Sequence, residues 1–127
     1  MSAEQAFQLA ALAALAAVPG LNGVFDGPPL KATEPWAEFG ELMSIDWGTK
    51  DMAGRELRSV IFVRDRGGDV GRVQALAAAA NVAVLAIGPD LDGWRIASLV
   101  ALRTRIVRER HGVWTAVIEH RVRMLAA

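Results

Sequence analysis

The chain has 127 residues, 53% of them hydrophobic and 22% charged, with 14 basic side chains against 14 acidic ones. That length and composition exclude intrinsic disorder and predict a single domain over residues 1–127 built on one core. The absence of cysteine excludes disulfides, thiolate metal sites and thiol catalysis, and zero net charge argues against a general binder of nucleic acid or membrane surfaces. No apolar run reaches the roughly 18 residues of a membrane span. Glu4 stands where an export signal carries Lys or Arg, so a soluble, cytoplasmic protein is expected.

Ser2-Ala3-Glu4-Gln5 reads as a helix start, and Phe7, Leu9, Leu12, Leu15 and Val18 recur at helical spacing, which predicts a first helix over 3–18. Pro19-Gly20 ends it. Val24-Phe25 is a short extended piece, and Asp26-Gly27-Pro28-Pro29 opens a loop to about Pro35. From Trp36 to Trp47 the apolar residues Phe39, Leu42, Ile45 and Trp47 fit a half-buried strand with a bulge near Gly40, with helix as the competing assignment. Gly48 to Gly54 is turn chemistry, and Glu56 to Val63 is the returning strand of a long hairpin.

Asp69 is the expected N-cap of a second helix over 69–84 that turns Val70, Val73, Leu76 and Ala80 to one side. Gly88 to Gly93 forms the next turn, Trp94 to Val107 a long strand, and Glu109-Arg110-His111-Gly112 a tight reversal in which Gly112 takes a positive φ. In the last strand Trp114, Ala116, Ile118, His120, Val122 and Met124 share a face. The order α-β-β-β-α-β-β, with hairpin connections, specifies an α+β fold of two helices packed on a largely antiparallel sheet. The four tryptophans, Trp36, Trp47, Trp94 and Trp114, are expected mostly in the core, with Trp47 set apart because it stands where a strand enters its turn.

Few residues could carry chemistry. His111 and His120 fall in different environments, a turn and a core edge, and neither is expected to be catalytic or to bind a metal. Glu34, Glu38 and Glu41 do not all share one face at a period of two, and Gly67-Gly68-Asp69-Val70-Gly71 lacks the Lys-Ser/Thr pair of a phosphate loop. The charge distribution says more. Residues 1–60 hold eight acids against four bases, and residues 94–127 hold seven arginines against Glu109 and Glu119. Such a chain suits head-to-tail association of identical copies or pairing within one fold. Arg95, Arg103 and Arg105 are separated by even steps, and Arg121 and Arg123 share a face of the partner strand. The resulting basic ribbon is open to three readings: contacts to an acidic neighbouring subunit, contacts to DNA phosphates, or a solvated face paired with Glu109 and Glu119.

Three stretches resemble the small tail-completion, or tail-terminator, proteins of long-tailed phages and phage-like gene transfer agents. They are the Ala/Leu helix followed by Pro19-Gly20-Leu21-Asn22-Gly23-Val24-Phe25-Asp26-Gly27; the run from Asp46-Trp47-Gly48-Thr49-Lys50 through Gly54 and Leu57–Val63 to Arg66-Gly67-Gly68; and Arg108-Glu109-Arg110-His111-Gly112-Val113 closed by Arg121-Val122-Arg123. The alanine-rich second helix and Trp114-Thr115-Ala116 depart from the family pattern.

The resemblance implies a structural virion or gene-transfer-agent protein and no enzyme. Its subunits would form a hexameric ring that caps the head-proximal end of the tail tube, halts polymerisation and joins the tube to the head connector or stopper. The implied partners are further copies of the chain, the major tail tube protein and the connector. DNA would pass through the lumen without sequence-specific binding, and no cofactor, metal or membrane is involved. Assembly would take place in the bacterial cytoplasm. Interface residues are expected at Trp47, Thr49, Lys50, Arg103, Arg105, Arg121 and Arg123, and a structural turn at His111 and Gly112. The alternatives are a head–tail connector or stopper subunit, and a DNA-binding accessory protein that uses the arginine ribbon.

Overall fold

The structure, a computed structural model, describes residues 1–127. The first helix, α1 (Ala3–Ala16), is capped by Ser2, whose hydroxyl accepts the Gln5 N–H at 3.1 Å, and it buries Ala3, Ala6, Phe7, Ala11 and Leu15. It stops two residues before the expected end, yet Val18 remains buried beneath the turn. The second helix, α2 (Gly71–Leu85), buries Val73, Leu76, Ala77, Ala80 and Val84. Its N-cap is Val70 rather than Asp69. The Asp69 carboxylate instead accepts the Gly71 N–H at 2.8 Å, a local side-chain turn that delays the helix.

The strands are β1 (Val24–Phe25), β2 (Trp36–Asp46), β3 (Gly54–Arg66), β4 (Asp90–Leu91), β5 (Trp94–Arg108) and β6 (Val113–Ala126). They form one sheet in the order β1-β2-β3-β6-β5-β4, antiparallel throughout except for β1 beside β2. The α+β order is the expected one, with β4 an added two-residue strand inside the Gly88–Gly93 turn, and the segment from Trp36 is strand rather than helix. β3 is longer at both ends than its β-branched centre predicts, because its whole length is paired to β6.

Residues opposite one another on neighbouring antiparallel strands share a face. On one face Phe39, Leu57, Ile61, Val63, Ala116, Ile118, Val122 and Met124 meet both helices in the main core. Phe7, fully buried from α1, is the largest helical contribution, and truncation to Ala at such a site costs about 3–5 kcal/mol. None of the four tryptophans is fully buried. Trp94 and Trp114 border the core, with their indole N–H groups bonded to Met1 O at 3.0 Å and Gly67 O at 3.2 Å. A ring with one polar edge is satisfied at that boundary.

The bulge near Gly40 is present as a register shift between Phe39 and Glu41. A Cβ at Gly40 would collide with the Phe62 ring. The shift reverses the strand's phase, so Glu38 and Glu41, three apart, lie on the same face, contrary to the period-two expectation. Two further shifts in β5, at Ala97 and Leu102, cancel one another in phase and leave Arg95, Arg103 and Arg105 on one face as expected.

At the β5–β6 reversal His111 (φ 60°) and Gly112 (φ +71°) are both left-handed, and Val113 N–H closes the turn onto Arg110 O. Two successive left-handed residues match the right-handed twist of a hairpin. The turn is tied to the β3 end through Arg66 Nη1 to His111 O at 2.6 Å and Gly67 N–H to Gly112 O at 3.1 Å. Gly112→Val places a β-branched residue at positive φ and is expected to lower the unfolding free energy by about 1–3 kcal/mol. His111→Ala, already at a non-glycine position, costs less; urea denaturation of the two variants gives the comparison.

Candidate assembly interface

The second face of the sheet carries no helix. It presents Trp36, Glu38, Glu41, Met43 and Ile45 from β2, Glu56, Arg58, Val60, Phe62 and Arg64 from β3, Glu119, Arg121 and Arg123 from β6, and Ser98, Val100, Arg103 and Arg105 from β5, as the cross-strand register dictates. The four arginines expected at an interface therefore do lie together on one surface, and they differ in their partners. Arg123 donates to Glu56 at 2.8 Å and stacks over the Trp47 ring, 5.4 Å from its centre. Arg103 is paired with Glu119. Arg105 and Arg121 have no ion pair. The Nε of Arg121 is buried without a hydrogen-bond partner, and Arg58 stands directly opposite Arg121 on β3.

Trp47 is half-buried beneath Arg123, at the point where the β2–β3 hairpin begins to turn. Its N–H bonds Gly54 O at 3.0 Å, and Thr49 N–H bonds Met52 O at 2.8 Å, which closes the tip. Thr49 and Lys50 are exposed there. The hairpin arm thus stands at the end of the sheet where Arg123 lies, while Arg103 and Arg105 lie farther along β5.

Three of the eight acids of the first 60 residues are paired with arginines of β3: Glu4 with Arg55, Glu38 with Arg64 at 2.6 Å and Glu34 with Arg66 at 3.1 Å. Only Glu56–Arg123 joins the acidic segment to the basic one. The guanidinium bond from Arg123 holds the Glu56 carboxyl below its usual range, and the Ser44 hydroxyl bond does the same for Glu4. Glu109 pairs with Arg64. Sequence reasoning missed the exposed apolar residues Met43, Ile45, Val100 and Leu102 on this sheet. A signal was available: Phe39, Leu42 and Ile45 cannot share one strand face without a change of phase.

A family model described as tail completion protein gp17 matches residues 7–125. Among solved structures, the chain superposes on a component of the virion of a native gene transfer agent particle with a TM-score of 0.83 and 25% identity, covering 99% of this chain and 100% of that one. Among curated proteins no sequence match is found.

The histidines are separated as expected, and only one is buried. His120 is fully enclosed, with Nε2–H donating to Asn81 Oδ1 at 2.6 Å and Nδ1 without a partner. Burial lowers its pKa from 6.5 because the charged ring has lost its water. The unfolded chain therefore binds this proton at higher pH than the folded one does. The His120 contribution to stability is constant above about pH 6.5 and declines as the pH falls from there through the lower folded-state value. As the pH falls below about 6.5 the wild-type chain is expected to lose stability, and His120→Gln to flatten that part of the profile, as read by urea unfolding at each pH.

Proposed function

We propose that this chain, which belongs to the tail completion protein gp17 family, is a tail terminator. Copies form a hexameric ring on the head-proximal end of the tail tube, stop its polymerisation and offer a surface to the head connector. The family is one of structural phage proteins, not an enzyme class. The observation that carries the reading is the end-to-end correspondence with a component of a gene transfer agent virion. It is supported by a sheet whose helix-free face gathers four arginines, of which Arg105 and Arg121 have no ion pair within the chain. A closed ring needs two different patches on each subunit. On this reading Trp47, Thr49 and Lys50 on the hairpin arm and Arg103, Arg105, Arg121 and Arg123 on the helix-free face meet neighbouring subunits, tube or connector. DNA crosses the lumen without sequence-specific contacts, and the particle is assembled in the bacterial cytoplasm.

A stopper subunit of the same neck differs in assembly order: a terminator caps tails that lack heads, whereas a stopper stays with filled heads. Electron microscopy of particles from a deletion strain is expected to show full heads beside separate, abnormally long tails. Normal tail length rejects the assignment. Trp47→Ala is expected to leave the circular dichroism spectrum unchanged while weakening ring formation by about 2 kcal/mol or more, the size of a hot-spot truncation. Loss of the spectrum would place Trp47 among the residues that hold the fold.

A further inference from the structure

Both margins of the sheet are open. β1 covers only Ala37 and Glu38 of β2, and β4 covers only Trp94 and Arg95 of β5. Beyond them, residues 39–46 of β2 and 97–108 of β5 have no main-chain partner on their outer side. Such edges seek another strand unless they are blocked.

The two edges also match. Following the register across the sheet, Glu41 is level with Val60, Glu119 and Arg103; Met43 with Arg58, Arg121 and Val100; Ile45 with Glu56, Arg123 and Ser98. All of these lie on the helix-free face. One edge therefore reads Glu41, Met43, Ile45 and the other, at the same levels, Arg103, Val100, Ser98. Glu41 has no ion pair in its own chain. Met43, Ile45, Val100 and Leu102 are exposed at 54%, 56%, 36% and 41%, an apolar content that isolated edges avoid. Strand direction fits as well. β2, β3, β6 and β5 alternate, so β5 runs opposite to β2, and a neighbour's β2 laid beside β5 continues the antiparallel pattern.

We infer that the β5 edge of one copy pairs with the β2 edge of the next, carrying a single antiparallel sheet from subunit to subunit. Like edges offer no such match, because residues 97–108 of β5 hold only basic charges and residues 39–46 of β2 only acidic ones, so neither self-pairing sets an acid beside a base. Unlike edges place Glu41 by Arg103 and Met43 by Val100, cross-strand pairs that stabilise a ladder. The bulges at Ala97 and Leu102 limit the regular run on β5 to residues 98–101, so the main-chain ladder is short, holding Met43 beside Val100 and Ile45 beside Ser98, and Glu41 meets Arg103 side chain to side chain just past the bulge. This inference rests on the ring reading and adds the interface that closes it.

The chain has no cysteine, so engineered pairs report contacts without background. Met43 and Val100 are three strand spacings apart within one subunit, roughly 14 Å, beyond the reach of an intramolecular disulfide. Particles carrying Met43→Cys with Val100→Cys, or as a second in-register pair Ile45→Cys with Ser98→Cys, are oxidised and resolved on non-reducing gels. A ladder of covalent multimers ending at the full ring is expected from either pair, and none from the out-of-register pair Met43→Cys with Val107→Cys. Rings visible on the tails without a ladder from either in-register pair overturn edge pairing and leave the ring reading standing. An equal ladder from the out-of-register pair also overturns it. Tails without rings overturn both.

Discussion

A six-stranded sheet with strands as long as 15 residues presents more surface than helices of 14 and 15 residues can cover. A strand of that length runs about 50 Å and a helix of that length about 22 Å. Both helices pack on one face, over the β3–β6 centre where the side chains are most apolar. The other face and the far part of β5 are left to water or to other molecules. Residues 100–105 of β5 are exposed on both faces. That stretch has a ladder with β6 alone, which makes the register of the last hairpin decisive for the side chains it presents.

The same geometry sorts the charges. Carboxylates near the core margin are held by arginines of a neighbouring element, as in the buried Glu38 with Arg64 on the adjacent strand and the buried Asp65 with Arg72 on α2. A buried carboxylate without such a partner would be costly, so these pairs protect the fold. The Arg72 bond holds Asp65 well ionised, below its ordinary titration range. The exposed pairs, such as Arg95 with Asp90, contribute little to stability. On the helix-free face Arg58, Arg105 and Arg121 have no ion pair within the chain, and neither has Glu41 on the β2 edge.

Buried polar groups mark a second feature of the core. Ser59 and His120 stand opposite one another on β3 and β6, and Ser59 Oγ and His120 Nδ1 each lack a partner. The bond from His120 to Asn81 links α2 to the central strand. An enclosed, neutral histidine with its free nitrogen shut away from water fits a packing role and disfavours the charged ring.

The fold class, the two helices, the long hairpins and the left-handed Gly112 were legible in the residues themselves, because periodicity, breakers and turn chemistry are local properties. The resemblance to tail-completion proteins was legible too, since it lies in the order of short motifs along nearly the whole chain. Local pattern could not reveal that Val70 rather than Asp69 caps α2, that Trp94 and Trp114 sit at the core margin while Trp36 and Trp47 do not pack on it, or that Glu38 and Glu41 share a face. Each depends on a bulge or on a neighbour distant in sequence. Which arginines are satisfied, Arg103 and Arg123, and which are not, Arg105 and Arg121, was likewise decided only when β5, β6 and β3 were laid side by side. Residue types and their spacing determined the elements; the pairing of strands far apart in the chain decided which side chains meet, because register acts across the sheet and leaves no local trace.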